Sequence, residues 1–215
     1  MELIIKLILS YLLGSISGSM LMGNLKGVDI REMGSGNAGG TNAFRTMGAA
    51  FALSVLFIDV IKGFIAVKFV AALELASILP INTIDIIHLH IACGIGVLMG
   101  HVYPIYHGFK GGKGVGTMVG VLAYLFPMYL MISIPIWLAV LVFSGYVGLS
   151  TIIVGIAFPI CTLLFYPNGI YSPFGFFSIF VAVLFIYTHR NNIYRMMNGN
   201  ENRFEKIRLF RQKKY

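Results

Sequence analysis

From Gly114 to Thr188 the chain carries no Asp, Glu, Lys or Arg. One helix crosses the hydrocarbon core of a membrane with about 20 residues, so this run needs several crossings. The composition agrees: the 215 residues are 58% hydrophobic and 11% charged, with a mean hydropathy of +0.85. A soluble domain carries about 25% charged residues. The expected fold is all-α, a polytopic membrane helix bundle forming a single integral membrane domain over 1–215.

The first span is read at 3–22, where Gly14, Ser15, Gly18 and Ser19 make a small-residue face suited to close packing. It lacks a basic leading segment and a cleavage site, so it reads as a retained helix. The second span, at about 49–73, contains Asp59 and Lys62, three apart on one face and able to pair. Such residues are costly in a membrane and face the bundle interior; a structural ion pair is the preferred reading. The third span runs over about 89–106. Breakers at Pro127, Pro135, Gly145, Gly148, Pro159, Pro167 and Pro173 divide the uncharged run into four short spans, near 116–132, 134–148, 150–166 and 174–189. The expectation is about seven helices, with five as the alternative.

Cations alternate between loops. The 23–48 loop has Lys26, Arg31 and Arg45 against Asp29 and Glu32, the 74–88 loop has Glu74 and Asp85 without Lys or Arg, and the 108–117 loop has Lys110 and Lys113. The positive-inside rule then places the N-terminus and 74–88 outside, and 23–48, 108–117 and the tail from about 190 in the cytoplasm. Much of the formal charge of +8 sits in that tail, at Arg190, Arg195, Arg203, Lys206, Arg208, Arg211, Lys213 and Lys214. A juxtamembrane segment facing anionic lipid explains it better than nucleic acid. Cys93 and Cys161 lie in apolar segments and read as small buried residues, not a disulfide framework.

With this topology the unusual polar residues fall on the cytoplasmic face, in three clusters. Gly34-Ser35-Gly36-Asn37-Ala38-Gly39-Gly40-Thr41-Asn42 leads to Arg45. Gly100-His101-Val102-Tyr103-Pro104 leads to Phe109-Lys110-Gly111-Gly112-Lys113-Gly114-Val115-Gly116-Thr117, which holds the only cations between Lys68 and Arg190. His189-Arg190-Asn191-Asn192-Ile193-Tyr194-Arg195 leads to Gly199 and Glu201. Successive backbone N–H groups in a glycine turn form an anion-binding nest, and a helix starting after it adds its positive end. Two lysines beside the nest suit phosphate; a lysine-rich connecting turn is the plainer reading of that loop alone.

Two familiar nucleotide patterns fail. Gly114 follows Lys113 where a P-loop requires Ser or Thr. Gly34, Gly36 and Gly39 match the dinucleotide spacing, but a membrane helix precedes them instead of a strand. The clusters offer phosphate donors, the Ser35 hydroxyl and the imidazoles of His101 and His189. They lack paired carboxylates, a Cys nucleophile with a base, a legible His–carboxylate pair, or His/Cys/Asp spacing for a metal. Such a site suits transfer between phosphorylated substrates.

The three clusters resemble the three motifs of the bacterial acyl-phosphate:glycerol-3-phosphate acyltransferases, integral membrane enzymes of phospholipid synthesis. The first family motif, Gly-Ser-Gly-Asn-x-Gly-Ala-Thr-Asn, is matched from Gly34 to Asn42 except at Gly40. The second, Gly-His-x-x-Pro leading to Phe-Lys-Gly-Gly-Lys-Gly-Val-Ala-Thr, is matched from Gly100 to Thr117 except at Gly116. The third, His-Arg-x-Asn-x-x-Arg with Gly-x-Glu, is matched at His189, Arg190, Asn192, Arg195, Gly199 and Glu201. Asp59 and Lys62-Gly63 also resemble a family feature. Both departures exchange one small residue for another.

The resemblance implies acyl transfer from acyl phosphate to the 1-hydroxyl of glycerol 3-phosphate, giving lysophosphatidic acid and phosphate. It implies no cofactor and no metal. Ser35, Arg45, His189, Asn192 and Glu201 would act at the reacting centre. Gly36, Asn37, Thr41, Asn42, His101, Lys110, Gly111, Gly112, Lys113, Gly114, Arg190 and Arg195 would hold substrate. The base is left between His189 and a phosphate oxygen of the substrate, the latter preferred. A monomer in the bacterial inner membrane is expected, surrounded by lipid and without nucleic acid.

Soluble-type and acyl-CoA-dependent glycerophosphate acyltransferases use a His-x4-Asp pair, and none of the five histidines here has an Asp five residues on. A transporter of an organic phosphate is the competing reading. Transporters place polar sites near the bilayer midplane between repeats, whereas these clusters lie at one surface and no repeat is visible.

Overall fold

The computed structural model describes residues 1–75, 84–205 and 209. Most of the 74–88 loop, and the tail cations Lys206, Arg208, Arg211, Lys213 and Lys214, lie outside the described residues. Those described fold as an all-helical protein in two compact units, Met1–Pro127 and Met128–Tyr215. Five helical segments are long and apolar enough to cross a membrane, or six with one bent pair taken as a span, and a further apolar helix is shorter.

In the first unit, α1 (Glu2–Gly14) and α2 (Gly18–Lys26) are the halves of one apolar span interrupted between them. The continuous first helix expected at 3–22 is therefore broken. The carbonyls of Gly14 and Ile16 at the break accept from Lys62 Nζ at 2.9 and 2.8 Å. A break at membrane depth persists only where such groups are satisfied within the protein.

The 23–48 segment is more ordered than a polar loop. It contains a short turn at Ile30–Glu32 and a helix, α3 (Gly40–Met47), which carries Thr41, Asn42 and Arg45. Then come α4 (Ala49–Ile65), continued by a π-helical turn at Ala66–Val70, α5 (Ile86–Val102) and the short α6 (Val115–Leu125). Glycines let these helices meet backbone to backbone. A side chain at Gly100 of α5 would collide with the Tyr11 carbonyl of α1, and one at Gly120 of α6 with the Val60 carbonyl of α4.

The second unit contains α7 (Pro127–Ser144), α8 (Val147–Phe165), α9 (Pro173–Thr188) and α10 (Arg190–Met197). The four segments expected in the uncharged run are present, but the first break falls at Phe126 and Pro127, not near 133. Proline at the start of a helix loses no intrahelical bond. Pro135, expected to divide spans, lies inside α7, where membrane helices tolerate it. Tyr129 stacks on Phe158 with centroids 4.5 Å apart, and Phe158 meets Phe174 edge-on, giving this unit an aromatic core. Between α9 and α10 the chain bends by 52° at His189.

Candidate active site

The first loop is held from inside. Buried Asn42 donates its amide to the carbonyls of Ile30 at 3.1 Å and Met33 at 2.9 Å, and its oxygen accepts the Ser35 N–H at 2.8 Å. Gly34 sits at φ 58°, and a side chain there would strike the Asn42 oxygen. Ser35 and Arg45 are exposed at the loop and on α3. Gly36 turns the chain at φ 72° while its N–H donates to Met33, and Asn37 and Thr41 are half-buried. Asn42, expected to touch substrate, is the bracket that shapes the loop.

Arg31 ties this loop to the second. Its guanidinium forks onto Asp29 at 2.7 to 3.2 Å and donates to the His107 carbonyl at 2.9 Å. The hydrogen bonds between Arg31 and Asp29 hold the Asp29 carboxyl below, and the guanidinium above, their ordinary ranges. The tie from Arg31 to the second loop was not legible, because the His107 carbonyl lies 76 residues away.

The second loop folds back on the end of α5. Gly111 N–H donates to the Val102 carbonyl at 3.2 Å and Gly112 N–H to the His101 carbonyl at 3.1 Å. These two N–H groups therefore shape the loop, and the nest that the glycine pattern suggested is narrower than expected. Gly114, at φ 87°, caps α6, whose first N–H groups and positive end face the loop. Lys110 is exposed and Lys113 half-buried. A side chain at Gly112 would lie 2.9 Å from the Ala38 carbonyl and strike His101 Nε2. The first two clusters thus meet at Gly112, Ala38 and His101.

Behind them Asp59 and Lys62 pair at 2.9 Å, as their spacing suggested. Both also reach His101, whose Nδ1 lies 3.0 Å from Lys62 Nζ and 3.4 Å from Asp59 Oδ1. A His–carboxylate pair therefore exists that was invisible in the sequence, since Asp59 and His101 stand on different helices. His101 is only 2% exposed.

The third cluster is built within the second unit. His189 ends α9, is 3% exposed, and its Nδ1 lies 2.8 Å from the Phe185 carbonyl. A carbonyl only accepts, so Nδ1 carries the proton and Nε2 is the unprotonated nitrogen of the neutral ring. Glu201 is buried, accepting from Asn192 Nδ2 at 2.9 Å and Arg195 Nε at 2.7 Å. Both of its oxygens thus hold α10 in place. Arg190 is exposed, donates to the Tyr187 carbonyl and stacks on that ring.

In the first unit, glycine-built loops, a capped helix start, exposed Arg45 and Lys110 and the Ser35 hydroxyl make a set of groups suited to anions on an apolar, membrane-type helical protein. The family model for glycerol-3-phosphate acyltransferase matches residues 4–199. The chain is 38% identical to the glycerol-3-phosphate acyltransferase of Chlorobium phaeobacteroides (strain BS1), covering 94% of this chain and 96% of that one. It is 40% identical to that of Chlorobaculum tepidum over 92% and 94%. A crystal structure of PlsY (YgiH), an integral membrane glycerol 3-phosphate acyltransferase in its glycerol 3-phosphate form, superposes with a TM-score of 0.79 at 36% identity, covering 94% and 95%. Its lysophosphatidic acid form gives 0.77. The chain belongs to the integral membrane glycerol-3-phosphate acyltransferase family.

Proposed function

We propose that the protein transfers a fatty acyl group from acyl phosphate to the 1-hydroxyl of glycerol 3-phosphate, releasing lysophosphatidic acid and inorganic phosphate. The observation that carries this reading is the meeting of the first two loops at Gly112, with the Lys110–Gly114 turn leading into the start of α6. Family membership supports glycerol 3-phosphate as the acceptor. An acyl phosphate keeps its tail among apolar helices and its head at the interface, while glycerol 3-phosphate arrives from water. Bringing two phosphates together requires cationic and N–H compensation.

The mixed anhydride is already activated, so no acyl-enzyme is needed. The acceptor oxygen attacks the acyl carbon, the bond from that carbon to the phosphate oxygen breaks, and the hydroxyl proton leaves with the phosphate. Lys110, Lys113 and the α6 start hold glycerol 3-phosphate, with Gly36, Asn37 and Thr41 lining the first loop. Ser35 and Arg45 act on the reacting groups, and His189 contributes through Nε2. Asn192, Arg195 and Glu201 act by holding α10, and Arg190 meets anionic substrate or lipid. Residues 1–215 work as one acyltransferase domain, monomeric in the inner membrane, with the N-terminus and 74–88 outside and 23–48, 108–117 and the tail in the cytoplasm.

The test is phosphate release by detergent-purified protein given glycerol 3-phosphate with palmitoyl phosphate or palmitoyl-CoA. Lysophosphatidate formed from the acyl phosphate alone supports the reading. Product from palmitoyl-CoA alone would overturn the donor assignment. No product from either would overturn the enzyme reading and make phosphate-ester transport the next test. Single-cysteine labelling at the tail and the 74–88 loop checks the orientation.

A further inference from the structure

We propose that Lys62, together with Asp59, is a positioning residue for the phosphate-holding turn Lys110–Gly114, acting through His101. Lys62 is 3% exposed, and its ammonium has four neighbours: the Gly14 and Ile16 carbonyls at 2.9 and 2.8 Å, Asp59 Oδ1 at 2.9 Å and His101 Nδ1 at 3.0 Å. Asp59 Oδ1 also accepts the Gly18 N–H at 3.3 Å and lies 3.4 Å from the same ring nitrogen. One buried ion pair therefore grips both sides of the break in the first span and one edge of the His101 ring.

The opposite edge of that ring is where the second loop rests. Gly112 packs on His101 Nε2, and its N–H donates to the His101 carbonyl. Satisfying the two carbonyls of a helix break needs a donor, but it does not need an imidazole within hydrogen-bond distance of both charges. Buried ion pairs add little net stability over apolar packing, and fixing one geometry is a role they can serve. The residues here form a continuous chain of contacts from the break, through Lys62 and His101, to Gly112. The ring orientation set by Lys62 and Asp59 places the turn that receives the glycerol 3-phosphate phosphate.

This inference rests on the acyltransferase reading, and the test separates the two. Lys62→Arg keeps the charge but replaces a compact ammonium with a planar fork. Asp59→Asn combined with Lys62→Gln removes both charges, so that neither is left buried alone. Folding is checked by gel filtration and thermal midpoint, and turnover is measured against each substrate. The expected result is a KM for glycerol 3-phosphate raised at least about tenfold in the folded variants, with the KM for acyl phosphate within about twofold. An unchanged glycerol 3-phosphate KM in Lys62→Arg, or an equal rise for both substrates, would overturn the proposal. If the double variant fails to fold, Lys62→Arg decides alone; failure of both would assign the pair to stability and overturn the positioning role. Wild-type protein without glycerol 3-phosphate turnover would instead sink the acyltransferase reading.

Discussion

The side-chain oxygen of Asn42 accepts the backbone N–H of Ser35 at 2.8 Å, while its amide holds the carbonyls of Ile30 and Met33. One buried amide on α3 thus sets where the Ser35 hydroxyl stands. Asn42→Ala leaves the Ser35 N–H without its acceptor and takes one of two donors from each of the Ile30 and Met33 carbonyls, which keep the Met33 and Gly36 N–H groups. The cost is therefore about 1–3 kcal/mol for the unmet donor plus a smaller loss at the two carbonyls. Asn42→Asp keeps the acceptor but loses both donated bonds. Both variants are expected to lower the thermal midpoint and turnover together, with Asn42→Ala worse. A thermal scan beside the phosphate-release assay checks this; wild-type values in Asn42→Ala would remove the bracket role.

Gly112 and Gly108 separate crowding from backbone strain. Gly112→Ala places a methyl on His101 Nε2 and the Ala38 carbonyl, so it is expected to cut kcat and raise the glycerol 3-phosphate KM by at least about tenfold each. Gly108, at φ 63° with open space around it, is expected to cost only about 1–2 kcal/mol of strain as Ala, with near-normal kinetics. Gly111→Ala looks from the sequence like a binding mutation, but its methyl would meet the His101 and Val102 carbonyls. A fall in thermal midpoint should therefore accompany its rise in KM.

His189 offers a test by chemical mimicry. An asparagine amide can stand in for Nδ1–H toward the Phe185 carbonyl but supplies nothing at the Nε2 position. His189→Asn and His189→Ala are both expected to lose turnover by at least about 100-fold, within the range for a proton-handling residue. His189→Asn should keep a higher thermal midpoint than His189→Ala. Wild-type turnover in His189→Asn would take Nε2 out of the chemistry.

Arg45 is exposed, so its removal is expected to spare the fold. Arg45→Ala should reduce kcat/KM by at least about 100-fold, as for loss of a group that stabilises developing charge. Lys at this position should restore little of it if the planar fork is required. Steady-state kinetics on monodisperse protein gives the answer, and full rescue by Lys would reduce the role of Arg45 to that of a point charge.

Glu201 should behave as a brace. Glu201→Ala leaves Asn192 Nδ2 and Arg195 without the bonds they make at 2.9 and 2.7 Å. The expected loss is about 1–3 kcal/mol, less for the half-exposed arginine than for the buried amide. Glu201→Gln still offers an acceptor and should retain more stability and turnover than Ala. Equal turnover in Ala, Gln and wild type would show that the α10 brace does not matter to the reaction.

The sequence alone determined the all-helical membrane class, because a charge-free run from Gly114 to Thr188 has no other stable home than lipid. It also determined the order of the three polar clusters and the Asp59–Lys62 pairing, since spacing along one helix decides which side chains share a face. It misplaced the first break in the uncharged run, as Pro127 and Pro135 look alike locally and only packing decides which one a helix runs through. Tertiary structure alone decided that the first span is broken and that Lys62 satisfies it. It also brought Asp59 to His101 and Arg31 to His107, and committed Asn42, Gly111 and Gly112 to shaping loops. Asp59 and His101 stand on different helices, Arg31 and His107 lie 76 residues apart, and the loop bonds depend on how each loop folds back; no residue pattern encodes such distances until packing has set the register.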